Sequence, residues 1–397
     1  MTSPLTGLRV VDLSRVLAGP YCTMLLADLG ADVVKVERPG SGDETRSWGP
    51  PFVGDEAAYY LAVNRGKRSC AIDLASDDGR ALGQELCAGA DVVVENFRPG
   101  GAERLGLGYA DLRARNERLV YCSITGFGSA RQPRERAGYD FVVQAESGLM
   151  SITGEPDGQP MKVGVAVVDV LAGLNATVGI LAAIERRHRT SEGSRVEASL
   201  LDSALSALVN QAQAALVTGH APTRRGNAHP SIVPYETFHA RDALVAVAAA
   251  NDGQFRRLCE VLESAELAAD PRFATNPARV QNRETLVPML GARIGTRDAD
   301  DLLESLAAAG VPSGKIRDVP DALAAAAETG DPATLTVEHS TLGTLELVRS
   351  AVRIDDGAAP ATLPPPTLGE HTRELLHELG RSDADIEALV AAGAVQV

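Results

Sequence analysis

Leu8-Arg9-Val10-Val11-Asp12-Leu13, then Ala18-Gly19-Pro20 and, past Gly30, Asp32-Val33-Val34-Lys35-Val36: these three stretches decide the architecture. The first run is short, apolar and rich in β-branched residues, the signature of a strand buried on both faces. Gly19-Pro20 opens a helix over 19–29, with proline in the first turn and Gly30 as its stop. The valine run from Asp32 is the next strand. Strand, helix and strand at this spacing predict a parallel pair joined by a crossover.

The pattern continues outward from there. A polar, Gly/Pro-rich loop occupies 38–51, a helix 78–88, and strands 91–95 and 118–124. Such a sheet binds ligands beyond the carboxyl ends of its strands. Those ends carry Ser14-Arg15-Val16, Glu37-Arg38, Asn96-Phe97-Arg98 and Thr125-Gly126-Phe127-Gly128. A short strand at 195–198 and a long apolar helix at 199–218 follow. From 220 to 320 the character changes: a loop-rich start at 226–238, a strand at 244–250 and helices near 252–263, 281–294 and 299–309 read as a smaller domain. An Ala-rich helix (322–327), a hairpin (335–354), a Pro-rich connector (360–366) and two terminal helices complete the chain. The expected division is a large domain over 1–200, a small domain over 220–320, and a connector with a C-terminal segment over 321–397.

Composition narrows the function. The 397 residues carry a formal charge of −15, which opposes binding to nucleic acid or an anionic membrane surface but leaves room for a small anion on a local basic patch. The five cysteines are scattered and form no C-x-x-C pair, which argues for a reducing cytoplasm and against a zinc site or disulfide framework. The first seven residues lack the basic and apolar regions of a signal peptide. Residues 163–184 are long enough to span a bilayer, yet they hold Asn175, Thr177 and three glycines and read as a buried helix. The histidines show no metal-ligand spacing, and phosphate-loop, dinucleotide and nucleophile-elbow motifs are missing.

Asp169 stands out as the one formal charge within 163–184. A carboxylate in an apolar run is costly to ionise and so points to a role. It reads either as a first-turn carboxylate receiving backbone N–H bonds or as a desolvated nucleophile. Arg38, Asn96, Arg104 and Tyr139 lie in or near loops at the ligand-binding edge, where guanidinium forks and an amide suit a phosphorylated ligand. Trp48 reads as a core or loop anchor.

These segments, in this order, resemble class III CoA transferases of the CaiB/BaiF type, relatives of formyl-CoA transferase and carnitine CoA-transferase. Besides the opening stretches, the resemblance rests on Asn64-Arg65-Gly66-Lys67-Arg68-Ser69 and on Ala90-Asp91-Val92-Val93-Val94-Glu95-Asn96-Phe97-Arg98-Pro99-Gly100. Gly138-Tyr139-Asp140, Gly164-Val165-Ala166-Val167-Val168-Asp169-Val170-Leu171-Ala172-Gly173 and Leu368-Gly369-Glu370-His371-Thr372 with Leu379-Gly380 complete it. The resemblance implies an α/β fold, a Rossmann-like large domain with a parallel sheet plus a smaller α+β domain, in an interlocked homodimer whose C-terminal segment returns to the large domain. It implies CoA and acyl-CoA as substrates with no tightly bound cofactor and a carboxylic acid as second substrate. It places the family nucleophile on Asp169 and CoA contacts on Val16, Ala18, Arg38, Ile72, Asn96, Phe97, Arg104 and Tyr139. Basic residues that some members hold near the CoA phosphates are Ala75 and Ala137 here, with Arg134 and Arg136 adjacent to the latter.

The mechanism so implied runs from an anhydride between Asp169 and the donor acyl group to an aspartyl-CoA thioester, then to the acceptor. Backbone N–H groups near the helix start are the expected oxyanion donors. Where formyl-CoA transferase has a glycine-rich substrate loop this chain has only Gly226-Asn227-Ala228-His229-Pro230, which speaks against formyl-CoA/oxalate specificity. The segment from Gly226 through Asn227 and His229 to Tyr235 is similar to members handling succinyl-CoA and small di- or hydroxy-carboxylic acids. An α-methylacyl-CoA racemase shares the fold, but family racemases place a histidine where this chain has Tyr139, a weak base near neutral pH. A non-catalytic CoA-binding protein is the third reading, which Asp169 opposes.

Overall fold

The computed structural model describes residues 3–131, 136–355 and 363–397, which form two compact units. The larger comprises residues up to Leu149, Lys162–Gly219 and the chain from Ala333 on; the smaller comprises Met150–Met161 and His220–Pro332.

The larger unit is built on a seven-stranded sheet. Its strands are β1 (Arg9–Asp12), β2 (Asp32–Glu37), β3 (Lys67–Ile72), β4 (Val92–Glu95), β5 (Val120–Thr125), β6 (Ser194–Ser199) and β7 (Val395–Gln396). They lie in the order β7-β3-β2-β1-β4-β5-β6, all parallel except β7, which runs antiparallel to β3. The order reverses between β2-β1 and β1-β4, so a crevice opens beyond the ends of β1 and β4. The reading from sequence had not included β3 or β7.

Helices cover both faces. On one lie α1 (Ala18–Asp28) and the long α5 (Val167–Thr190), whose buried Val168, Ala172, Ala176, Ile180 and Ala183 join Val10, Val33 and Val94 in one core. α5 is long and apolar enough to cross a bilayer, but that stripe is packed inside the protein. A Cβ on Gly173 would sit 2.7 Å from the Ala18 carbonyl, so this glycine lets α5 lie directly on α1. On the other face lies α3 (Asp77–Ala88), whose Leu82 and Leu86 pack with Leu375, Leu376 and Ile386 of the C-terminal helices. The single helix expected over 199–218 is two, α6 (Leu200–Ala207) and α7 (Val209–Thr218), because Val209 takes a left-handed φ of 40°.

The smaller unit has a three-stranded antiparallel sheet of Tyr235–His239, Leu244–Ala248 and Ser313–Lys315. Helices including Asp252–Val261, Arg283–Ile294 and Ala299–Ala308 close its core around Val245, Phe255, Leu286, Leu290 and Leu302.

Candidate active site

A cavity of about 910 Å³ opens at the carboxyl ends of the central strands. Leu13 and Arg15 after β1, Arg38, residues 40–44 and Ser47 after β2, residues 72–75 at the end of β3, and Phe97 after β4 line it, with Trp48. Trp48, 41% exposed, meets the edge of Tyr59 at 5.4 Å. Tyr59 belongs to α2 (Ala58–Val63) and packs in one cluster with Val16 and Ala166, which links Trp48 on the cavity wall to the residue before α5.

The loops around the cavity are fixed from below by charges with no access to water. Lys35 donates to Asp43 (2.9 Å) and to the Ser14 carbonyl (3.0 Å). Asp43 in turn accepts from Val16 N (3.2 Å) and Thr45 N (3.0 Å). Burial alone would release the Lys35 proton, but the carboxylates of Asp43, Asp12 and Glu37 outweigh it and hold its pKa above the ordinary value. Val16 sits at φ 72°, a left-handed conformation that a β-branched residue adopts only under constraint, and the bond to Asp43 supplies part of that constraint.

Asp169 lies in the first turn of α5. Ala166, the residue before the helix, has no capping side chain; its φ of −74° and ψ of 66° make an inverse γ-turn, closed by Val167 N to the Val165 carbonyl at 2.8 Å. The cap comes instead from Asp140, at the start of α4 (Asp140–Glu146), whose Oδ1 accepts from Val168 N at 2.8 Å and Asp169 N at 3.4 Å. A carboxylate there complements the helix dipole. Asp140 therefore fills the capping role that the sequence had left open to Asp169. Among the described residues the Asp169 carboxylate accepts no hydrogen bond and faces no cation. Burial, and then the charge of Asp140, push its pKa up to about 7. Burial and the same two carboxylates push the Tyr59 phenol up to about 12, so it keeps its proton near Asp169.

This arrangement narrows the choice of N–H groups near the helix start. The first-turn N–H groups of α5 are engaged by Val165, Asp140 and, for Val170, the Ala166 carbonyl, so none of the four points at a ligand. The backbone N–H groups of Gly164, Val165 and Ala166, just outside the helix, make no hydrogen bond among the described residues.

Of the residues expected to touch CoA, Arg38, Ile72 and Phe97 line the cavity. Arg38 and Arg104 are exposed and have no ion-pair partner among the described residues. Asn96 does not offer its amide outward: Oδ1 accepts from Arg15 N (2.9 Å) and Nδ2 donates to the Arg15 carbonyl (2.7 Å), tying β4 to the loop after β1. Ala18 is buried in the core beneath that loop. Tyr139 is 61% exposed beside Asp140. Arg136 is committed to Glu146 and lies over the Phe127 ring; Arg134 falls outside the described residues.

Gly226, Asn227 and His229 lie together in the smaller unit. Gly226 N donates to the Gly154 carbonyl (3.0 Å), Asn227 Nδ2 to Thr237 Oγ1 (3.1 Å), and the His229 ring sits 5.2 Å from that of Tyr235. Burial and the neighbouring Arg283 hold the His229 pKa below its ordinary value, leaving the imidazole neutral at neutral pH. Tyr59, Asp43 and Gln144 were missed from sequence, where none carries a motif.

The family profile described as CoA-transferase family III matches residues 5–372. Succinyl-CoA:glutarate CoA-transferase of Mus musculus is 42% identical over 394 residues, covering 99% of this chain and 90% of the mouse protein. Succinate–glutarate CoA-transferase of Agrobacterium fabrum is 44% identical over 382 residues, covering 95% of this chain and 96% of its own. The crystal structure of a CaiB/BaiF family protein from Brucella suis matches with a TM-score of 0.84 at 44% identity, covering 96% of this chain and 100% of that one.

Proposed function

The chain belongs to CoA-transferase family III, and on that premise we propose that Asp169 is the nucleophile of its reaction, with succinyl-CoA as donor and a short dicarboxylic acid as acceptor. The enzyme moves CoA between an acyl-CoA and a carboxylic acid, so CoA enters as a substrate. The observation that carries the proposal is a partly buried carboxylate with neither hydrogen-bond donor nor cation among the described residues to quench it, set next to an open backbone segment.

The steps balance without ATP. Asp169 attacks the thioester carbonyl, the C–S bond breaks, and CoA thiolate leaves behind a mixed anhydride. The thiolate attacks the aspartyl carbonyl and expels the donor carboxylate, leaving an aspartyl-CoA thioester. The acceptor carboxylate attacks that thioester, releasing thiolate and forming a second anhydride. The thiolate then attacks the acceptor carbonyl and frees Asp169. The open N–H groups of Gly164, Val165 and Ala166, with the Tyr59 phenol, are suited to stabilise the oxyanions.

Arg38 and Arg104 supply charge for the CoA phosphates. Each charge-assisted bond contributes about 1.5–3 kcal/mol, so Arg104→Ala is expected to raise the acyl-CoA KM about tenfold with kcat less affected. An unchanged KM in both single arginine variants would place the phosphates elsewhere. The resemblance also implies a homodimer, a reading supported by α7, which buries none of its residues and exposes Val209, Leu216 and Val217. Five free, buried cysteines suit a reducing compartment such as the cytoplasm.

Trapping tests the nucleophile. Incubation with succinyl-CoA followed by hydroxylamine is expected to leave a hydroxamate on the Asp169 peptide, read by mass spectrometry. Label on another residue would overturn the assignment. A panel of carboxylic acids in the same assay ranks the acceptors, and dicarboxylates of glutarate size should lead it.

A further inference from the structure

Gln144, one turn beyond Asp140 on α4, is fully buried, and its amide is used at both ends. Nε2 donates to Asp140 Oδ2 at 2.6 Å, and Oε1 accepts from Val163 N at 2.9 Å. Asp140 Oδ1 meanwhile holds Val168 N and Asp169 N. The two side chains thus grip both ends of the segment 163–168, whose middle carries the open N–H groups and whose far end delivers Asp169.

We propose that Asp140 and Gln144 form a buried clamp and act as positioning residues for CoA transfer, fixing the Asp169 carboxylate and the N–H groups of residues 164–166 in one geometry. The proposal rests on the reading of Asp169 as nucleophile. Neither clamp residue needs to touch substrate. A fraction of an ångström at the attacking oxygen changes the rate of an intramolecular step strongly, so loosening the segment is felt in kcat more than in binding.

The electrostatic surroundings are well defined. On the elements packed against α5, Asp28 pairs with Arg65, Asp202 with Arg131, and Glu146 with Arg136, while Glu197 accepts from Ser129 and Arg195 is exposed on β6. Tyr21 on α1 lies in the cluster with Tyr59. Asp140 and Tyr59 are the groups in electrostatic contact with Asp169.

Hydrogen-bond direction makes the clamp testable. In Asp140→Asn, however the two amides turn, one N–H must face another N–H along the line from Val168 through residues 140 and 144 to Val163. In Gln144→Glu, two carboxylate oxygens face each other. The double variant Asp140→Asn/Gln144→Glu restores a partner to every atom and keeps the net charge, but moves the negative charge away from Asp169. Each single variant is expected to lower kcat about tenfold or more with acyl-CoA KM changed less than about threefold. The double variant should recover kcat to within about threefold of wild type, with the acid limb of its kcat/KM profile at lower pH. A residue that served folding alone would not move that limb. Single variants as active as wild type, or a double variant no better than the singles in activity or folding, would overturn the clamp. Hydroxamate trapping on wild type separates the two readings: label away from Asp169 defeats the nucleophile assignment, whereas label on Asp169 with fully active single variants defeats the clamp alone.

Discussion

Asp169→Asn is expected to lower CoA transfer by about three orders of magnitude or more while acyl-CoA still binds. Asparagine fills the same space but cannot form the anhydride, and the cavity that holds Arg38, Ile72 and Phe97 is untouched. Asp169→Glu should fail nearly as badly, since one methylene displaces the attacking oxygen. In wild type, kcat/KM should rise with pH through about 7, the value to which burial and Asp140 push the attacking carboxyl. Stability should move the opposite way. The carboxyl ionises near 3.8 when unfolded and near 7 when folded, so the native state holds the extra proton between those values. Wild-type stability therefore falls as pH rises through that window, and the full penalty is present above it. Asp169→Asn escapes the penalty and should be more stable than wild type at pH 8, by on the order of 2 kcal/mol after allowance for partial solvent access, with the two converging toward pH 4. Denaturant titrations at both pH values read this out. Near wild-type transfer by the asparagine variant would remove Asp169 from the mechanism, and equal stability at pH 8 would mean that its carboxyl is not desolvated.

Asp12→Asn should cost the fold about 3–5 kcal/mol. Asp12 ends β1 with no solvent exposure. Its carboxylate accepts from Ser14 N (2.9 Å), Thr23 Oγ1 (2.6 Å) and Lys67 Nζ (3.1 Å), the last from equally buried β3. Burial already lowers the Lys67 pKa to about 8 against the pull of Asp12. Without that carboxylate the ammonium keeps neutral acceptors, the Pro20 carbonyl and Asn64 Oδ1, and has no carboxylate at hydrogen-bond distance among the described residues. The exposed Arg15–Glu44 pair is the contrast: Arg15→Ala should change stability by less than about 1 kcal/mol. Urea midpoints measured side by side decide it, and a loss below about 1 kcal/mol for Asp12→Asn would mean that water reaches the pair.

The same network explains what could be read in advance. β1 and β2 were legible because valine runs are punctuated by Gly19-Pro20 and Gly30. β3, Lys-Arg-Ser-Cys-Ala-Ile, was not, because its polar side chains are satisfied by residues far away in the chain: the charge of Lys67 by Asp12, that of Arg68 by Asp32, and the Ser69 hydroxyl by Glu37. Hydropathy cannot register a charge whose partner lies tens of residues off. Asp169 was visible as a lone carboxylate in an apolar run. Its surroundings were not: the cap comes from Asp140, and Tyr59 sits in an Ala-Tyr-Tyr-Leu run that reads as ordinary core. The break at Val209 carries no glycine or proline to announce it.

The outer edge of β3 has a consequence for biosynthesis. Beyond β2, its partners are the His371 N–H on the Ser69 carbonyl, Thr372 Oγ1 on Ala71 N, and β7 at Val395–Gln396. All of them leave the ribosome some three hundred residues after β3 itself, and the whole smaller unit is made in between. Throughout that interval the nascent sheet carries an unpaired edge of the kind that recruits other strands. A chaperone that shelters that edge until residues 369–396 emerge would govern the yield of folded enzyme without touching a single catalytic group.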